Sequence, residues 1–420
     1  MITLLIPHFK RNNNYLQCHK IVLFLCFALT AGTSPANTLN NWQQHLGRLL
    51  FTDINLSLNR NRSCASCHSQ SPTDADLWEQ HHTAAFADPD NINHGTPTSR
   101  GSVDAVFGRL NAPSLGYIAF TPRLHFNRAK QQWFGGYFWN GRGASLEAQA
   151  MEPFTSSTEM ALPDSWEFAN RITQNPAYQS AYLKAYGFDL NSLRQTSAAT
   201  DRERPAPKEL HELMSLSGKA IAAYESSGEF SRFTAKYDFV LAGMTELTDL
   251  ERRGLELFNN KAKCARCHTS DPFTTEEGKP IPPLFTNFGY ANIGIPVNPR
   301  IPENPPPDNG LFATTKQVSD LGKHKVMSLR NIVLTPPYGH NGFFRSLAEI
   351  VYFYNTRDQT PEGWGEIEFP KTANRADLGD LRLTAGEEQA IVAFLETLTD
   401  GYPLWGNDPR IPESTPSPFP

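Results

Sequence analysis

The sequence predicts a mainly α-helical fold in two tandem domains related by internal duplication, and three observations carry that prediction. The pentapeptide CASCH, Cys64 to His68, returns as CARCH, Cys264 to His268. Each copy is preceded by a similar amphipathic entry, LGRLLF from Leu46 to Phe51 and RGLELF from Arg253 to Phe258. Downstream, WNGRGASLE begins at Trp139 and HNGFFRSLAE at His340, both reading NGxxxSL, 71 residues after His68 and 72 after His268. Unrelated segments would not share an entry, a motif and a later element at nearly one spacing, so the chain reads as one unit used twice.

In chain order the first element is a targeting segment, residues 1–36. A basic stretch, His8 to Arg11 with Lys20, precedes the apolar run Ile21 to Ala31 and then Ser34-Pro35-Ala36, the pattern of a cleaved secretory leader. An apolar run of about eleven residues falls short of the roughly twenty that span a bilayer. The expectation is therefore a periplasmic protein that is not membrane-spanning after processing. Cleavage removes Cys18 and Cys26, and every remaining cysteine then belongs to a CxxCH. A net charge of -5 without a long basic run argues against nucleic acid as a partner.

The first domain is expected over 37–227, the second over 228–405, and a Pro-rich tail over 406–420. Helical patterns run over 164–174, 176–186 and 208–224. In the second half Thr248 and Glu251 form a capping box, as do Ser346 and Glu349. After the latter, Leu347, Ile350, Val351 and Tyr354 share one helix face. Thr384 and Glu387 open a last helix through Ala390, Phe394 and Leu398, stopped by Gly401. The prolines of 296–307 and 412–420 mark a loop and the tail.

CxxCH puts two thiols on one short turn, where each adds to a vinyl group of one porphyrin while the adjacent histidine reaches the iron. A redox CxxC would sit in a thioredoxin-like βαβ pattern, and a zinc site would need further ligands at close spacing; neither is present. The sequence thus predicts two covalently bound c-type haems in cytochrome c-like domains. Cys64, Cys67 and His68 hold the first; Cys264, Cys267 and His268 hold the second.

The repeat also compares the two irons. Tyr354 and Pro153 occupy one position, each fourteen residues beyond His340 or Trp139. A phenolate from Tyr354 would ligate the second iron opposite His268, with Tyr352 or Tyr338 as substitutes, whereas Pro153 has no donor atom. The first iron would then be open to hydrogen peroxide. In the segment that covers it, Glu159 is the expected acid and base that moves the peroxide proton, and Gln149 positions the oxygen.

Together these residues resemble the bacterial dihaem cytochrome c peroxidase family, in its MauG-like subgroup, from Leu46 to about Leu398. The resemblance rests on both CxxCH motifs, RLNAPS at Arg109 to Ser114, FWNGRGASLEAQA followed by Glu159-Met160, SLRNIVLTPPYGHNG at Ser328 to Gly342, and the closing helix LTAGEEQAIVAFLETL. It implies that Trp139 couples the two haems and that Gln149 and Glu159 serve the peroxide site. It also implies an inter-domain calcium ion held by Asn111 and the carbonyls of Thr335 and Pro337.

Two departures from the peroxidase pattern stand out. The loop in which peroxidases carry a releasable histidine ligand reads PTSRGS, Pro97 to Ser102, with Ser102 at that histidine's place; His94, His81 and His82 are the nearby residues that would reverse this. The far haem has Tyr354 where peroxidases use methionine, and a hard anionic donor favours the oxidised iron. The place of the hole-carrying tryptophan of MauG-like members, two residues before the second CxxCH, is Ala262. The resulting expectation is an exported dihaem oxidoreductase that reacts with hydrogen peroxide at the first haem and shares high-valent charge with the second. Its other partner is a protein substrate oxidised at a side chain, or an electron-donor cytochrome c or copper protein. The alternative is a dihaem electron-transfer cytochrome with both irons six-coordinate.

Overall fold

The structure is a computed structural model that describes residues 35–70, 83, 86–196, 207–275, 278–359 and 361–419. The leader up to residue 34, His81 and His82 lie outside them. The first half is built by α1 (Pro35–Thr52), α2 (Leu146–Thr155), α3 (Ser165–Gln174), α4 (Pro176–Tyr186) and α5 (Lys208–Glu225). The second is built by α6 (Asp249–Asn259), α7 (Leu347–Thr356) and α8 (Ala385–Glu396).

The boundaries follow local chemistry. Thr248 and Glu251 cap α6 reciprocally, and Thr384 and Glu387 do the same for α8. At α7 only half of the expected box forms: Ser346 accepts from Glu349 N, but the Glu349 carboxylate accepts from Arg345 N instead. The last helix stops at Glu396, before Leu398, and Gly401 at φ +81° then turns the chain.

Each half is organised by one helix crossing, α1 on α5 and α6 on α8. Gly47 of LGRLLF faces Ala220 and Tyr224, and Gly254 of RGLELF faces Ala390 and Phe394. A side chain at either glycine would strike the carbonyl of the facing alanine, so the backbones touch. Around these contacts lie two cores, one with Phe51, Phe154, Phe168 and Tyr224, the other with Phe258, Phe285, Phe344 and Phe394. The burial of such rings is the main favourable term in each half.

The halves are joined through polar groups as well as a small aromatic cluster of Tyr117, Phe233, Leu284 and Phe288. Tyr117 Oη of the first half donates to the Asp400 carboxylate of the second at 2.9 Å. Within the second half, Asn331 Nδ2 donates to the same carboxylate at 2.9 Å, and Arg330 pairs with Asp238 at 2.7 Å, both side chains fully buried. Strands among the described residues are short antiparallel pairs: β1 (His125–Asn127) with β2 (Gln132–Phe134), β3 (Phe273–Thr274) with β4 (Pro280–Ile281), and β5 (Tyr290–Ala291) with β6 (His324–Lys325). The last pair matters most, because it puts His324 and Lys325 in the interior. The proline-rich end is packed onto the second half, with Ile411 buried beside Phe239 and Tyr402.

Candidate active site

The two CxxCH turns are alike in detail. In each, the histidine N–H donates to the carbonyl of the first cysteine at 2.9 Å, closing one turn. The His68 ring meets the carbonyl of Phe86 through Nδ1 at 3.4 Å, and the His268 ring meets that of Phe285 at 2.9 Å. A carbonyl only accepts, so Nδ1 carries the proton and Nε2 keeps its lone pair free. Both phenylalanines hold a left-handed backbone, φ +50° and +52°, a strained conformation repeated at the same place in both halves. Burial drives His68 down to about 4 and lowers His268, so both imidazoles are neutral, as ligands to iron must be.

None of the four CxxCH cysteines is paired in a disulfide. Burial pushes Cys67 and Cys264 up to about 12 and raises Cys64 and Cys267 as well. A redox CxxC or a thiolate–metal centre needs the opposite, a depressed thiol pKa. Buried neutral thiols beside a neutral imidazole, each set opening on a cavity, fit a thioether-linked haem. No group of three or more His, Cys, Asp or Glu among the described residues could hold a metal ion by itself.

The first cavity, about 310 Å³, is lined by Cys64, Cys67 and His68 and also by Gln149, Pro153 and Glu159. α2 supplies Gln149 and Pro153, and the turn after it supplies Glu159. Burial raises the Glu159 carboxyl above its ordinary range, opposed by a hydrogen bond from Ser156 and by the Arg142 guanidinium. Ser102 does not line this cavity: its hydroxyl donates to Asn61 at 2.8 Å and accepts from Asn59 N at 3.0 Å. Its peptide N–H donates to the Glu159 carbonyl at 2.6 Å, so the loop braces the segment that carries Glu159. His94 is exposed at the end of its short helix and also stands apart.

The second cavity, about 180 Å³, is lined by Cys264, Cys267 and His268 and by Ile350 and Tyr354 of α7. Burial raises the Tyr354 phenol above its ordinary value in the absence of a metal partner. Of the substitutes, Tyr352 is 46% exposed and turned away, and Tyr338 lines the cavity with its hydroxyl already donating to the Ile332 carbonyl at 3.0 Å. Ala262 is buried in the wall.

Trp139 lines both cavities. Its indole N–H donates to the Asn111 carbonyl at 2.8 Å, and its ring edge meets the stacked rings of His324 and His340, whose centroids are 3.5 Å apart. Asp308 and Glu368 accept from these histidines at 3.3 and 2.7 Å. Asn111, Thr335 and Pro337 share a third, smaller cavity, whose wall also carries Lys325 and Arg330 and, among the described residues, no carboxylate.

Four participants were not singled out from the sequence: Arg142, Glu225, His324 and Lys325. Arg142 had a usable signal, since the repeat sets it opposite Phe343. It stacks on Phe138 at 3.5 Å and bonds Glu152 at 2.9 Å. Glu225, pushed up to about 8 by burial and with Oε2 unpartnered, faces the first cavity from the last turn of α5. A carboxylate at that end of a helix opposes the macrodipole, the one hint a sequence could offer.

With this geometry in hand, likeness to known proteins is informative. The family described as di-haem cytochrome c peroxidase matches residues 42–246. The methylamine utilization protein MauG of Paracoccus denitrificans is 35% identical over 373 residues, covering 84% of this chain and 88% of that protein. A cytochrome-c peroxidase of Pseudomonas sp. (strain SCT) is 29% identical over 402 residues, covering 92% and 88%. The crystal structure of the diheme peroxidase BthA from Burkholderia thailandensis superposes with a TM-score of 0.68 at 29% identity, covering 89% of both chains. Two haem pockets of one design, sharing a tryptophan wall, and this breadth of similarity lead to one conclusion: the chain belongs to the dihaem cytochrome c peroxidase and MauG family of peroxide-dependent, c-type haem oxidoreductases.

Proposed function

We propose that hydrogen peroxide reacts in the first cavity and that the second serves as its electronic partner. One observation carries this reading: at matched positions of the repeat the first cavity presents Gln149 and Pro153, the second Ile350 and Tyr354. The first is equipped to handle a polar substrate and offers no ligand from Pro153. At the same positions the second offers an apolar side chain and a phenol suited to a ferric iron.

The haems, when bound, supply the redox chemistry, taking up the two oxidising equivalents released as peroxide is reduced to water. Glu159 accepts a proton from the near oxygen of peroxide and delivers it to the far oxygen, which leaves as water. Gln149 holds the peroxide by hydrogen bonding, and Arg142 favours the ionised form of Glu159 that can act as base. Trp139, present in both walls, is the route between the pockets, and Tyr354 would ligate the iron of the second when haem is bound. Calcium at Asn111, Thr335 and Pro337 would be held by neutral oxygens facing two cations. Export to the periplasm is supported by the basic and apolar leader, and no helix among the described residues is long and apolar enough to cross a membrane.

The oxidised partner is a residue of a second protein, the reading that Tyr354 supports. The second reading, electrons drawn from a small cytochrome c or copper protein, is favoured by Ala262, which offers no hole exit. Steady-state turnover with peroxide, comparing reduced cytochrome c with candidate partner proteins, separates them. For the chemistry itself, Glu159→Gln is expected to slow the peroxide-induced Soret change by about 10²–10⁴-fold with haem content intact; an unchanged rate removes Glu159 from the mechanism. Two low-spin haems in the EPR of the oxidised protein would establish the electron-carrier alternative.

A further inference from the structure

Among the described residues, no carboxylate pairs with the buried side chain of Lys325. It lies on β6 at 6% exposure and lines both haem cavities as well as the third cavity beside Asn111. Its ammonium donates to the Gly136 carbonyl and stands 5.5 Å from the Tyr137 ring and 5.8 Å from the Phe288 ring. Its peptide N–H donates to the Trp139 carbonyl at 2.9 Å, which fixes the strand against the shared indole.

An ammonium carries three donors, and one carbonyl with two aromatic faces does not replace its hydration. Burial alone lowers Lys325 to about 7, with no charged neighbour contributing. Arg330, the other cation on the third cavity, differs: Asp238 neutralises it, and it lines neither haem cavity. An unmatched interior lysine either sheds its proton or takes up an anion, and an anion beside it holds it charged. The groups that these pockets receive bring their own, since each haem carries propionate carboxylates.

We propose that Lys325 is a counter-cation common to the two haems, pairing with a propionate and setting the reduction potential of both irons. A positive charge in a water-poor wall favours the reduced state of any iron close to it. Because this wall is common to the two pockets, one side chain acts on both. Lys325 is a positioning and tuning residue in this scheme, and it transfers no electron itself. The inference needs the two haems but not the peroxide reaction, so the two readings can fail separately.

The test is a spectroelectrochemical titration of the holoprotein without peroxide, comparing the parent with Lys325→Met and Lys325→Arg. The methionine variant is expected to shift the reduction equilibrium of each haem about tenfold toward the oxidised state, about 59 mV for one electron. The arginine variant, which keeps the charge, is expected to restore most of it; a purely structural role would not follow charge in this way. Unchanged potentials overturn the proposal, and so does a shift confined to one haem. Should Lys325→Met not bind two haems, Lys325→Gln, neutral but polar, carries the same comparison.

Discussion

Replacing Gly47 or Gly254 by alanine probes the two helix crossings on which the haem turns are hung. A Cβ at Gly47 would lie 2.7 Å from the Tyr224 Cβ and closer still to the Ala220 carbonyl. At Gly254 it would lie 2.7 Å from the Phe394 Cβ and closer still to the Ala390 carbonyl. Ordinary contact begins near 3.4 Å, so the helices must part by at least 3.4 − 2.7 = 0.7 Å, and by more against the carbonyl. Overpacking of this kind costs about 1–3 kcal/mol. Alanine returns about 1 kcal/mol through its better helix propensity. The obstacle here is main chain, which cannot swing aside as a side chain does, so the cost belongs at the upper end and the net loss is about 2 kcal/mol. For halves of this size that lowers the melting temperature by roughly 4–8 °C. Thermal melts of the holoprotein followed by far-UV circular dichroism measure it. Because the two glycines lie in separate cores, the double variant should lose about the sum. An alanine variant as stable as the parent would show that the helices do not touch there.

Two further outcomes follow from the pockets. Glu159 must be ionised to accept a proton, and burial raises its pKa above 4.5, so the peroxide reaction should quicken as pH rises through that shifted value; Arg142→Gln removes a cation that lowers it and should move the limb to higher pH, and stopped-flow pH profiles showing an unmoved limb would exclude the coupling. Tyr354→Phe should convert the second ferric haem to a high-spin form visible by EPR, and an unchanged spectrum would show that the phenol is not a ligand.

Much of the scaffold was legible because it rests on local chemistry. Asp164, Asn175, Thr248 and Thr384 announce their helices by capping, and α3, α4 and α5 begin and end within a residue or so of the periodic pattern. The contrast of Pro153 with Tyr354 was legible because the repeat supplies its own reference. What the sequence hides is set by distant segments. The β5–β6 pair is too short for an alternating pattern, yet its pairing with Tyr290 is what buries Lys325. Ser102 faces Asn59 and Asn61, more than forty residues away, so its identity could be read but not its direction. The end of α8 before Leu398 likewise depends on tertiary contacts, since Leu398 is fully buried just past it.

The partner of the Trp139 N–H decides what kind of conductor that indole can be. It donates to a peptide carbonyl, that of Asn111, at 2.8 Å. Such an oxygen is far too weak a base to take the hydrogen away. In the proposed role, an electron removed from the ring would leave a radical cation that keeps its N–H proton and is refilled without proton transfer, the behaviour of a relay and not of a resting place for damage.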